Sequence, residues 1–160
     1  MGIFDKLFSG NKVEIGSPVN GKIVPIDTVS DPTFAQEMIG KGVAIIPEDG
    51  NFYAPASGTL VALFPTGHAY ALNTDDGAEI LVHIGIDTVK LNGQFYDVQA
   101  KQGDTVKKGD LIVKVDLEGI KAAGYDTVTP VIISNSNKFS KVEKKDGNVT
   151  AGEAVVLLYK

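Results

Sequence analysis

The chain has only two histidines, His68 and His83, and both lie in the stretch PTGHAYALNTDDGAEILVHIGIDTV. It has no cysteine, so disulfides, thiolate metal sites and thiol nucleophiles are excluded. A neutral imidazole nitrogen is a competent nucleophile near pH 7, because its unperturbed pKa is about 6.5. In a pair of imidazoles, one can attack while the other orients it or stabilises charge on its adduct. Two histidines fall short of a zinc site, which normally takes three or four protein ligands. His68 and His83 could share zinc only with ligands from a partner, and the chemistry requires no metal and no cofactor. Both imidazoles can also be purely structural.

The spacing suggests how the two rings meet. A hairpin folded symmetrically about Asp75-Asp76 sets His68 directly opposite His83, on one face of the ladder. Asp-Asp-Gly supplies turn chemistry between them. The second strand alternates, with Glu79, Leu81 and His83 on one side and Ile80, Val82 and Ile84 on the other. The aliphatic set is expected in the core, which leaves the histidine side at or near the surface. Pro65-Thr66-Gly67 precedes the first histidine and brings a hydroxyl two residues from it. Gly85-Ile86-Asp87 follows the second and brings bare backbone and a carboxylate.

The elements that position these residues read as β structure. Eighteen glycines and seven prolines punctuate short aliphatic runs: GKIVPI, GVAIIP, GTLVALF, AEILVHIGI, GDLIVKVD, TPVIIS and AVVLLY. The expected fold is all-β, an antiparallel β-sandwich or barrel-sandwich hybrid with a few short helical turns. One turn starts at Asp31-Pro32 and carries Phe34 and Met38 before Gly40. A second is capped by Asp116 and runs through Leu117 and Ile120 to Gly124. A third is expected around Lys138–Lys145. The chain also echoes itself. SPVNGKIVPI (Ser17–Ile26) matches APASGTLVAL (Ala54–Leu63), and VKKGDLIV (Val106–Val113) matches VTAGEAVV (Val149–Val156). An interleaved internal duplication follows from those offsets.

The length of 160 residues suits one domain, here 13–160, behind a tail of residues 1–12. No apolar run approaches a bilayer span, and the first residues lack a signal-peptide pattern, so a cytoplasmic protein is expected. A net charge of −5 argues against nucleic acid as a partner.

PTGHAYAL with AEILVHIGIDTVKLNGQFY resembles the enzyme IIA domain of the glucose-type sugar phosphotransferase system. SPVNGKIVPIDTVSDPTFAQEMIGKGVAI, APASGTLVALF, VKKGDLIVKVD and TPVIISN follow in the order the family shows. The resemblance implies a phosphocarrier. It would accept a phosphoryl group from the histidine-containing phosphocarrier protein and pass it to a cysteine on the IIB domain of a sugar permease. On that resemblance His83, in HIGIDTV, is the phosphoryl acceptor, and His68, in TGHA, is the partner imidazole that stabilises the phosphate. Thr66 orients His68, and Asp31 and Asp87 face an arginine of the donor. An apolar docking surface is expected from Phe34, Phe64, Leu81 and Val89, each of which also suits an ordinary core position. The resemblance also implies regulatory partners on the same face, a monomer, and a weak peripheral membrane contact through residues 2–8, where Ile3, Phe4, Leu7 and Phe8 would share one side of a short amphipathic helix. Lys90 departs from the pattern, standing where an acidic residue is expected. A regulatory binding module using the same face without obligatory transfer is the alternative reading. Swinging-arm carriers need a lysine at the hairpin tip, where this chain has Asn-Thr-Asp-Asp-Gly. Zinc hydrolases need further metal ligands.

Overall fold

Glycine turns followed by β-branched runs do become strands. The computed structural model describes residues 12–160, and among them are fourteen strands and two short α-helices. In chain order come β1 (Lys12–Gly16), β2 (Gly21–Pro25), α1 (Pro32–Ala35) and β3 (Lys41–Pro47). Next are β4 (Asn51–Tyr53), β5 (Gly58–Leu63), β6 (Ala69–Thr74), β7 (Glu79–His83), β8 (Tyr96–Val98), β9 (Thr105–Val106) and β10 (Leu111–Val115). Then α2 (Leu117–Ala122) leads to β11 (Thr129–Ile133), β12 (Lys141–Lys144), β13 (Gly147–Val149) and β14 (Ala154–Tyr159). All pairings are antiparallel. They form an eight-stranded sheet, β13-β2-β3-β11-β7-β6-β5-β9, and two three-stranded sheets, β1-β14-β12 and β4-β10-β8. The main core, including Ile15, Ile45, Phe52, Leu60, Tyr70 and Val131, packs sheet on sheet.

The duplication is legible in this order. Outward from the β11–β7 centre of the large sheet, β3 mirrors β6, β2 mirrors β5 and β13 mirrors β9. The small sheets correspond strand for strand. Val149 pairs with Gly21 and Val106 with Gly58, the same position in each repeated motif. Ser17 N–H donates to the Glu153 carbonyl and Gly152 N–H to the Ser17 carbonyl. In the other copy Ala54 N–H donates to Asp110 and Gly109 N–H to Ala54, all at 2.7–2.9 Å. Gly109 and Gly152 both sit at positive φ, +94° and +92°, which is why both motifs need glycine there. The second copy, β4–β10, is contiguous and inserted between β3 and β11 of the first.

Two expected turns form and the third does not. Asp31 caps α1, its carboxylate accepting from Thr33 N–H at 2.9 Å, with Pro32 at the first helical position. The helix stops at Ala35, short of Met38. Glu37 takes φ +54°, and Met38, 70% exposed, does not share Phe34's buried face. Asp116 caps α2 in the same way, accepting from Gly119 N–H. Residues 138–145 are no helix: after a 3-10 turn at Ser136–Lys138 the chain forms β12 and pairs with β14, Val142 opposite Leu158. The spacing of Phe139 and Val142 fits a helix face, but pairing with a buried strand overrides so weak a local preference. The expected helix within residues 2–8 lies outside the described residues.

The loop from Ile26 to Gly40 crosses the outer face of the large sheet. Ile26, Val29 and Phe34 bury there against Ala44 and Ile132, with Leu81 packed at the margin. That is why every residue of β11 is buried, Ile132 beneath the loop and Val131 and Ile133 in the main core. The same crossing brings α1 over the end of β7, where His83 lies.

Candidate active site

His83 ends β7 on the expected side of the sheet. Ile80, Val82 and Ile84 are in the core, while Glu79, Leu81 and His83 are half-buried on the other face. The hairpin register differs from expectation by one residue. His83 pairs with Ala69, and Asn73 pairs with Glu79. Asp75-Asp76-Gly77 forms a three-residue loop closed by Thr74 N–H donating to the Ala78 carbonyl, with Gly77 at φ +100°. An odd loop moves the register by one, as a type I turn followed by a left-handed residue does. Strict alternation would then send the His68 side chain to the opposite face.

The imidazoles meet nonetheless, because His68 precedes the strand. Gly67, at φ +76°, turns the chain into β6, and the His68 carbonyl accepts from Ile84 N–H at 2.6 Å. The two ring centroids are 5.1 Å apart at 78°. Phe34 lies 5.0 Å from the His83 ring and Phe64 5.1 Å from the His68 ring, so four rings run in series across the site. A Cβ on Gly67 would come within 3.0 Å of Tyr96 and Val98. Gly67→Ala is therefore expected to lower the unfolding free energy by at least about 1–2 kcal/mol, the cost of the left-handed conformation alone. Urea denaturation measures this, and a midpoint equal to wild type would contradict the role given to this turn.

The histidines have separate hydrogen-bond partners. His83 Nδ1–H donates to the Gly85 carbonyl oxygen at 2.6 Å. A carbonyl can only accept, so Nδ1 carries the proton and Nε2 keeps its lone pair. Gly85 sits at φ +87°, where a Cβ would strike the Thr88 methyl at 2.5 Å. Ile84, just before it, is pinned by two donors on its carbonyl, the Thr88 and Tyr96 hydroxyls, both at 2.8 Å. The Thr66 hydroxyl lies 2.5 Å from His68 Nδ1.

Both rings are held neutral. Burial lowers the His68 pKa to about 4, with a smaller push from His83. Burial also lowers the His83 pKa, opposed by the Gly85 hydrogen bond and by the charges of Asp31 and Asp87. Both carboxylates thus bear on the ring that carries the free Nε2. A histidine with a depressed folded pKa contributes stability that is complete above about pH 6.5 and lost as pH falls toward the folded value. For His68 the loss between pH 7.5 and 5.5 is expected to be about 1 kcal/mol. Urea midpoints at the two pH values should show it, with the fall reduced in His68→Gln. An equal fall in that variant would contradict the assignment.

The remaining candidates fall into two groups. Phe64, against the His68 ring, is 45% exposed, and Val89 is 50% exposed. Phe34 is buried beneath the loop, where it backs His83 rather than meeting solvent, and Leu81 is half-buried beside it. Asp87 is exposed in a left-handed conformation and makes no capping bond.

Residues 13–139 match the model of the phosphoenolpyruvate-dependent sugar phosphotransferase system EIIA 1 family. The chain belongs to this family. This IIA domain is 40% identical over 157 residues to the PTS system glucose-specific EIIA component of Buchnera aphidicola, covering 98% of both chains. It is 45% identical over 150 residues to the PTS system beta-glucoside-specific EIIBCA component of Bacillus subtilis, of whose length it spans only 25%. The solved glucose permease IIA from Mycoplasma capricolum superposes with a TM-score of 0.84 at 36% identity, covering 98% and 99% of the two chains. The domain is therefore of the glucose type. None of the described helices is long and apolar enough to cross a membrane.

What the sequence left unseen in this IIA domain is mostly backbone. Gly85 is evident as a small residue, but the direction of its carbonyl is not. The clamp on Ile84 lies within AEILVHIGIDTVKLNGQFY, but the residue types do not show that the Thr88 and Tyr96 hydroxyls reach one carbonyl.

Proposed function

We propose that this IIA domain accepts a phosphoryl group on His83 Nε2 from the phosphohistidine of the histidine-containing phosphocarrier protein and delivers it to the cysteine of a IIB domain of a glucose-type permease. The observation that carries this reading is the His83 Nδ1–Gly85 bond, which leaves Nε2 unprotonated beside a second imidazole. In the first half-reaction the Nε2 lone pair forms the new P–N bond as the donor's P–N bond breaks. In the second, the IIB thiolate attacks phosphorus and His83 leaves with the electron pair. Such transfers ask the protein for in-line positioning and charge stabilisation rather than covalent work. The Thr66 hydroxyl donating to His68 Nδ1 fixes the tautomer whose Nε2–H points its hydrogen bond at a phosphoryl oxygen. The neutral state of both rings keeps the acceptor nucleophilic at pH 7. Phe64 and Val89 provide apolar contact for both partners in turn. Asp31 and Asp87 face a cationic side chain of the donor, in a cytoplasmic setting.

Incubation with phosphoenolpyruvate, enzyme I and the phosphocarrier protein, read by intact mass, tests the reading. One added phosphoryl group, stable in base and lost in mild acid, is expected. No gain from a donor system that phosphorylates another IIA domain would overturn it and favour a regulatory binding module on the same face.

A further inference from the structure

The duplication builds the cleft twice. By register, Ile39-Gly40-Lys41 occupies the place of Thr66-Gly67-His68, and Ile132-Ile133-Ser134 that of His83-Ile84-Gly85. Each copy then makes one 3-10 turn, Thr88–Leu91 or Ser136–Lys138, before its outer strand β8 or β12. The end of the sheet remote from the imidazoles is thus constructed like the active-site end, and it holds a cavity of about 420 Å³. That volume lies within the usual range for small-molecule sites.

Its chemistry differs from that of its counterpart. Ile132, fully buried, stands where the other copy has His83, so this cleft has no imidazole to accept a phosphoryl group. Lys41, Lys141, Ser134, Ser136, Asn137 and Ser140 line it. Neither lysine forms an ion pair among the described residues. Glu37 also lines the cavity, but its carboxylate is committed, accepting from Lys144 Nζ at 2.9 Å and from Gly42 N–H at 3.2 Å. Ser136 is 8% exposed, and its oxygen accepts from Lys41 N–H at 3.0 Å. Its own hydroxyl proton has no acceptor among the described residues. Ser134 already donates to Glu79 and Ser140 to the Tyr159 and Lys160 carbonyls, and Lys141 Nζ stands 5.4 Å from the Tyr159 ring centroid, so the groups left to meet an anion are the two ammonium groups, the Ser136 hydroxyl proton and the Asn137 amide.

We propose that this second cleft binds a phosphate dianion, free or as a small phosphomonoester, without transferring it. Two lysines match the dianion as point charges, and the Ser136 hydroxyl and the Asn137 amide match its oxygens. The rest of the cavity leaves room for the organic part of an ester. The assignment does not depend on phosphoryl transfer at His83.

Amide NMR titration of the full, unphosphorylated chain tests it, using inorganic phosphate, glucose 6-phosphate and neutral glucose at constant ionic strength. Saturable shifts at Gly40, Lys41, Ser134 and Ser136 are expected with both phosphates and not with glucose. Lys41→Gln and Lys141→Gln should each weaken binding by about tenfold or more. Equal affinity for the two phosphates means that the phosphate group alone is read, and tighter binding of the ester places the sugar in the cavity. Shifts that do not saturate, that centre on His68 and His83, that appear equally with glucose, or that survive both lysine substitutions overturn the proposal.

Discussion

His83→Ala is expected to reduce phosphoryl transfer through the chain to background while leaving the fold intact. In the proposed transfer His83 supplies the lone pair that forms the P–N bond, and His68 is not expected to substitute for it. The Thr66 hydroxyl occupies His68 Nδ1, and a neutral ring that accepts there carries its proton on Nε2, so neither nitrogen offers a free lone pair. The folding cost is small because His83 is half-buried at the end of β7, and the strand is anchored by Ile80 and Val82 in the core. Unfolding free energy should stay within about 1 kcal/mol of wild type, as for a substitution outside the core. Intact mass with the complete donor system and a urea titration of the same sample check both halves. Phosphorylation of the alanine variant would contradict the assignment of the acceptor.

The second large effect separates the two half-reactions. In His68→Gln the shorter amide can still place a donor near the phosphoryl group, so the domain should become phosphorylated. It cannot share the charge that builds as phosphate leaves, and delivery to a IIB domain should slow by about 10²–10³-fold, the usual cost of losing one transition-state donor. Single-turnover transfer from the isolated phosphoprotein to IIB measures this directly. If both half-reactions ran at the wild-type rate, the paired-imidazole mechanism would be wrong. Thr66→Ala should move in the same direction and less far, since it frees the His68 ring without removing it.

The parts of this site that could be read in the sequence are those carried by residue type and by short-range alternation. The aliphatic runs and their glycine turns became strands because each buries one or both faces. The repeated Pro-x-x-Gly and Val-x-x-Gly-acidic motifs reappear as matching backbone hydrogen bonds around Ser17 and Ala54. Asp31 and Asp116 cap helices because a carboxylate can satisfy backbone donors locally. What was illegible depends on geometry beyond a few residues. The histidine register slipped because Gly77 makes a three-residue loop, and a single sequence does not distinguish that from the two-residue turn. The rings still meet, because Gly67 turns the chain before β6 and releases His68 from the alternation. The stretch around Lys141 reads as a helix until β14 claims it as a pairing partner. Phe34 suits a docking surface or a core equally well by type, and only the loop crossing the sheet makes it the buried backing of His83.

The most direct measurement on the central assignment is phosphorus–nitrogen correlation NMR on the phosphorylated chain labelled with ¹⁵N-histidine. The expected result is one phosphorylated imidazole, His83, with phosphorus coupled to Nε2 and with Nδ1 still protonated against the Gly85 carbonyl. Phosphorus on His83 Nδ1, or on either nitrogen of His68, would contradict it.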